Sequence, residues 1–282
     1  MMLKFYLCLA FVQVVFGANR YVIDSVSCKD DAVNAAVRLY MDNAISKAGL
    51  VAKILAPKAH FEPIGKYVYV DIDNRSDAWK QTRDKSDLEI HCNGDYITPL
   101  QDSPEPNINW RDEIQGLPVL DDDSILNIKD EKTILVAVTS PARTWKEGET
   151  WPDNIPEVIT FNPWYIKHAV EKKSIFNSDR IKKALQPSLL KAIKIKFQRY
   201  THAANVDTLD TPELTLIHEL THTALGGLSR DTGGSKSYGW YNCVRLKDVD
   251  NADNLAYFAL VVDLIQNYKY EVDDKGNLQS FT

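Results

Sequence analysis

The sequence predicts an α+β fold with a helix-rich C-terminal half. Three observations carry that prediction. Apolar residues recur every three or four positions through residues 27–55. Short β-rich runs then follow at Tyr67–Asp73, Leu88–His91 and Thr133–Thr139. Beyond residue 178 the pattern is again mainly helical, so strands and helices are segregated rather than alternating. The chain has 282 residues, 44% hydrophobic and 26% charged, enough for a real core and unlike a disordered or collagenous chain. A net charge of −6 argues against a nucleic-acid partner, because such binding leans on phosphate neutralisation.

At the N-terminus, Lys4 precedes an apolar run from Phe5 to Phe16, and the small residues Gly17 and Ala18 follow. This reads as a cleaved secretory leader over 1–18, too short to span a bilayer. No later stretch is long and apolar enough for a membrane anchor, so a secreted, extracellular and monomeric protein is expected. Cys28, Cys92 and Cys243 remain after cleavage. Three cysteines allow one internal disulfide and one leftover thiol, with the pairing left open. Asn74-Arg75-Ser76 is a glycosylation sequon.

The first helix, with Val33, Val37, Tyr40, Met41, Ala44 and Ile45 on its apolar face, is ended by Pro57. Gln101–Ser124 is rich in Pro, Asn and Asp and reads as one long surface loop, a candidate boundary or processing site. The expected division is therefore 19–125, as the N-terminal part of a catalytic domain or an accessory region, and 126–282 as the core. Val158–Tyr165 reads as a strand broken at Pro163. Ser178–Tyr200 reads as a helix interrupted near Pro187, inside a segment (167–199) with ten Lys or Arg against two acids, taken as a solvated face. Pro212–Leu225 is a helix with Thr211 as N-cap and Pro212 in its first turn. Asn254–Asn267 is a last, apolar helix.

The chemistry concentrates in one motif. His218-Glu219-Leu220-Thr221-His222 is an H-E-x-x-H sequence set in an apolar helical pattern. Positions i and i+4 share a helical face, so both imidazoles can grip one Zn²⁺. Glu219 can then serve as general base toward a metal-activated water. The other histidines (His60, His91, His168, His202) are scattered and read as surface or satisfied core residues. A catalytic zinc ordinarily takes three protein ligands and one water. Leu225 and Leu228 stand where a metzincin would need Gly and His, and no thermolysin-like downstream glutamate pattern is present. Aspartates remain: Asp231, nine residues after His222 in a Gly/Ser-rich turn, and Asp253 in Asn251-Ala252-Asp253.

With these residues in place, the order H-E-L-T-H, Asp231, Tyr238-Gly239, then Asn251-Ala252-Asp253 followed by Tyr257-Phe258-Ala259 resembles the deuterolysin-like zinc metalloendopeptidases, or aspzincins. That family is mainly fungal and secreted and includes lysine-specific members; the likeness covers residues 156–265. It implies a zincin-like metalloprotease domain with a small sheet and an H-E-x-x-H active-site helix. Asp231 would be the third zinc ligand and Tyr238 the donor to the oxyanion. Asp253 would support a ligand or meet a basic substrate side chain, and Ile159–Pro163 would be the edge strand that binds substrate. The chain departs from the family in two places. Asp231 and Tyr238 are seven positions apart rather than three, and Ala256 stands where lysine-specific members carry glutamate. The expectation is therefore a secreted zinc endopeptidase acting on protein or peptide substrates, favouring basic residues without strict lysine specificity. The alternative is a non-catalytic secreted zinc-binding or host-interaction protein on the same scaffold.

Overall fold

The computed structural model describes residues 20–54, 61–66, 68–69, 88–100, 106–121, 123–129, 135–140, 156–186 and 204–281. The leader over 1–18, the Asn74 sequon, His60, His202 and most of the basic stretch after residue 186 lie outside the described residues.

The centre is a five-stranded sheet in the order β2-β1-β3-β8-β7. Its strands are β1 (Arg20–Ile23), β2 (Val68–Tyr69), β3 (Leu88–His91), β7 (Ala137–Ser140) and β8 (Glu157–Phe161). β1, β2, β3 and β8 run parallel, while β7 pairs antiparallel with β8. Every residue of β3 and β8 is buried, as expected of parallel strands covered on both faces. Strands from both sides of residue 125 share this one sheet. A separate antiparallel sheet joins β4 (Ile97–Pro99), β5 (Trp110–Asp112) and β6 (Leu117–Val119). With the helix α3 (Ser124–Lys129) it closes a small core of Ile97, Val119, Ile125 and Ile128. The long loop expected over 101–124 thus contains a β-hairpin. Three-residue strands are too short to declare a period of two.

Helix α1 (Asp31–Ile54) starts where Asp30 accepts the backbone N–H of Ala32 and Val33 at 2.8 and 3.1 Å. It buries Val37, Tyr40, Met41 and Ala44. α2 (Phe61–Ile64) is a single turn beside it. Beyond β8 the expected strand over 158–165 is corrected: the chain turns at Asn162 into helix α4 (Pro163–Glu171). Asn162 caps it by accepting from Trp164 N, and Pro163 takes the first position, where its missing N–H costs nothing. α5 (Ser178–Ala184) ends at Leu185, before Pro187. α6 (Pro212–His222), α7 (Trp240–Leu246) and α8 (Ala252–Asp263) follow, and β9 (Tyr270–Val272) pairs with β10 (Leu278–Ser280).

Cys28 and Cys92 form a disulfide that ties the segment after β1 to the end of β3, and Cys243 is free and buried. Among the described residues, no helix is long and apolar enough to cross a membrane.

Candidate metal centre

Helix α6 positions the motif. Its residues from Pro212 to Thr221 are all buried, and it packs against α8, α1 and β7. Thr211 has the extended backbone of an N-cap but makes no side-chain capping bond. The helix stops at His222 because Thr223 turns extended and folds its hydroxyl onto Leu220 O at 2.6 Å. The chain then doubles back over the helix it has left. Gly226 allows this: a Cβ there would lie 1.9 Å from Leu220 O. Ser229 docks on the helix, N–H to Thr221 O at 2.9 Å and hydroxyl to Thr221 Oγ1 at 2.6 Å. Two residues later Asp231 faces the histidines.

Three ligand atoms converge. His218 Nε2 and His222 Nε2 are 3.2 Å apart, and Asp231 Oδ1 lies 3.3 Å from the first and 3.7 Å from the second. A tetrahedral ion with bonds of about 2.0–2.2 Å spaces its ligand atoms about 3.3–3.6 Å apart. The triangle therefore has the size such an ion requires, and among the described residues this is the group that could hold a metal. Asp231 Oδ1 is also a buried oxygen without a hydrogen bond, which is an expensive arrangement unless a cation answers it.

The surrounding acceptors fix the tautomers. His218 Nδ1 lies 3.0 Å from Asp253 Oδ1, and His222 Nδ1 lies 2.8 Å from Ser229 O. A carboxylate and a backbone carbonyl both accept, so each ring can place a hydrogen on Nδ1. With Nδ1 so occupied, Nε2 of each ring is the atom that would turn a lone pair to a metal at the centre. Asp231 is held from its other side, where Tyr238 OH donates to Oδ2 at 2.7 Å. Burial, then the Asp231 charge, pushes the Tyr238 pKa far above its usual value, so the phenol stays a donor. Burial opposes ionisation of Asp231, but the neighbouring His218 outweighs it and lowers its pKa to about 2. Burial likewise opposes charge on His218. The carboxylates of Asp231 and Asp253 prevail and raise its pKa well above the usual value.

Each part of the downstream sequence pattern acquires a physical reason. Asn251 Oδ1 accepts Thr232 N–H at 3.1 Å, and Ala252 N–H reaches Arg230 O at 3.1 Å, so this segment brackets Asp231 from both neighbours. Asp253 then turns inward, with Oδ1 on His218 and Oδ2 accepting Gly239 N–H at 2.7 Å. Gly239 sits at φ 85°, a conformation that only glycine adopts freely, and it aims Tyr238 back at Asp231. The longer spacing between Asp231 and Tyr238 is taken up by a 3₁₀ turn, Gly234–Lys236, preceded by Gly233 at φ 93°. Asp253 lies inside the first turn of α8, and Asn251 occupies the N-cap position.

The structure brings together His218, Glu219, His222, Asp231, Tyr238 and Asp253. One implied element is corrected. Residues 159–161 belong to β8, which lies inside the sheet between β3 and β7, and Asn162 and Pro163 begin α4. Among the described residues, the edge strand beside α6 is β7. From β7, Thr139 Oγ1 reaches Glu219 Oε2 at 2.7 Å and Glu219 O at 2.9 Å. No spacing pattern could have announced a partner 80 residues away. His91 is buried beside Glu89 and Asp24, His168 is exposed, and neither belongs to the triad.

A scan against models of known protein families found no match, nor did searches of curated proteins and of solved structures.

Proposed function

We propose that this chain is a secreted, zinc-dependent endopeptidase with a zincin-like catalytic domain. The observation that carries the reading is the triangle of His218, His222 and Asp231, with both Nδ1 atoms occupied by acceptors and a glutamate, Glu219, next to the first ligand. A site built only to hold a metal has no need of that glutamate. Zinc held there would supply a Lewis acid able to polarise a scissile carbonyl and to lower the pKa of a water toward neutrality.

The residues of the chain do the rest. His218, His222 and Asp231 would hold the ion, while Asp253 and Ser229 O orient the two rings. Glu219 accepts a proton from the attacking water and passes it to the leaving amine. Tyr238 has one proton to give and gives it to Asp231 Oδ2. Stabilising the oxyanion, as the family resemblance implies, means exchanging that partner for the substrate oxygen. Among the described residues no strand covers the outer edge of β7, and that edge, adjacent to α6, would offer an extended peptide a strand to pair with. The family resemblance implies a preference for basic residues near the scissile bond, which a net charge of −6 accommodates. The leader-like N-terminus and the Cys28–Cys92 bridge support an oxidising, extracellular setting.

The test is digestion of a mixed protein substrate by the purified chain with zinc, with a chelator, and with Glu219→Gln in parallel. Cleavage sites are read by mass spectrometry. Chelator-sensitive cleavage that disappears in a zinc-retaining Glu219→Gln variant is expected. Equal cleavage by that variant refutes the mechanism, and zinc binding without any cleavage makes the chain a metal-binding protein instead.

A further inference from the structure

We propose that Thr139 is a positioning residue for Glu219, an inference that rests on the peptidase reading above. Thr139 sits in the edge strand β7, opposite Ile159 of β8, so its backbone is fixed by the sheet. Its hydroxyl lies 2.7 Å from Glu219 Oε2 and 2.9 Å from Glu219 O. A hydroxyl has one proton, and the shorter approach and the stronger acceptor are both at the carboxylate. Among the described residues, no other group hydrogen-bonds this carboxylate. The last torsion of a glutamate is broad and roughly two-fold, so an untethered carboxylate would sample many orientations. Thr139 takes Oε2 and thereby selects Oε1 as the oxygen free to accept a proton. The threonine is itself stiff at χ1 because it is branched at Cβ, which suits it to hold a partner in place.

The arrangement has a second consequence. The strand on which a peptide would pair is the strand that holds the general base. Substrate pairing along β7 and orientation of Glu219 are therefore mechanically one event. Loss of the hydroxyl should appear in turnover rather than in ground-state binding.

The experiment compares wild type with Thr139→Val, which keeps the shape and removes the donor, and Thr139→Ser, which keeps the donor. Thr139→Ala gives the same reading should the valine variant fail to fold. kcat is measured with KM on a peptide that the wild type cleaves, and zinc content is measured on each protein. The expected result is a fall in kcat of about 10–100-fold for valine, the range typical of lost supporting hydrogen bonds. KM should stay within about threefold, zinc content should be unchanged, and serine should restore most of the rate. A readout independent of activity is a double-mutant cycle on Tm of the zinc-loaded protein. The drop caused by Thr139→Val should vanish in a Glu219→Ala background. Unchanged kcat in zinc-loaded Thr139→Val, failure of serine to rescue, or additive Tm changes would each overturn the proposal. If the wild type cleaves nothing, the peptidase reading falls, and the Tm cycle alone decides whether Thr139 holds Glu219.

Discussion

Replacing Asp253 by asparagine preserves the side chain's shape and removes one of its two acceptors. Asp253 uses both: Oδ1 takes the Nδ1 proton of His218 at 3.0 Å, and Oδ2 takes Gly239 N–H at 2.7 Å. Asparagine can satisfy only one. With its oxygen toward His218, its amide opposes Gly239 N–H, and a buried unpaired donor costs about 1–3 kcal/mol of stability. With its oxygen toward Gly239, its amide donates to His218 Nδ1. The ring proton is then driven to Nε2, the atom that would bind a metal. The protein divides between these outcomes, and the expected loss of zinc affinity is about 10–100-fold, or about 1.4–2.8 kcal/mol. Competition with a chromogenic chelator at fixed pH measures the affinity. Circular dichroism and a urea midpoint separate lost folding from lost binding. A folded Asp253→Asn variant that binds zinc within about threefold of wild type would refute the idea that Asp253 sets the tautomer of His218.

Three further outcomes are expected. Gly226→Ala forces a Cβ to within 1.9 Å of Leu220 O and should cost more than about 2 kcal/mol in urea unfolding, with the zinc site weakened because the same turn delivers Asp231. Glu157, buried at the start of β8 and bonded to Ala224 N–H, has its pKa raised by burial to about 8, against the weaker opposing effect of that bond. Between about pH 4.5 and pH 8 the folded chain keeps a proton that the unfolded chain releases. Stability should therefore fall by up to about 1.4 kcal/mol per pH unit as pH rises, and Glu157→Gln should flatten that part of the urea-midpoint profile. Removing the Cys28–Cys92 bridge by paired serine substitutions releases a 64-residue separation and should cost about 4 kcal/mol, read as a lowered Tm.

What could be read from the sequence followed from residue types that act locally. α6 begins at Pro212 as expected, because proline at the first position is a strictly local signal. β3 occupies Leu88–His91 as expected, an apolar run too short for a helix. The histidine pair was legible because four residues make one helical turn. Asp231 and Asp253 were candidates on residue type and family resemblance, but the reason they converge is tertiary. Arg230 and Asn251 pair as neighbouring extended residues, which no spacing reveals. The hairpin of β5 and β6 escaped notice because its strands are short, and the proline- and aspartate-rich composition around them reads as loop. Helix α4 was hidden by the β-branched run before it, although Asn162-Pro163 was a helix-start signal in plain view. Thr139 was invisible altogether, since its partner lies 80 residues on and only the sheet brings the two together.

The burial of α6 bears on how fast a metal ion could leave. Ten consecutive residues of that helix are buried, so its amides should exchange with solvent only when the whole domain opens. Asp231, by contrast, arrives on a turn, and its side chain is 32% exposed against 9% for His218 and 16% for His222. The carboxylate would be the ligand that can let go while the rest stays folded. Metal residence time would then be governed by the opening of residues 226–239, and hydrogen exchange in that turn should track the off-rate while exchange in α6 does not.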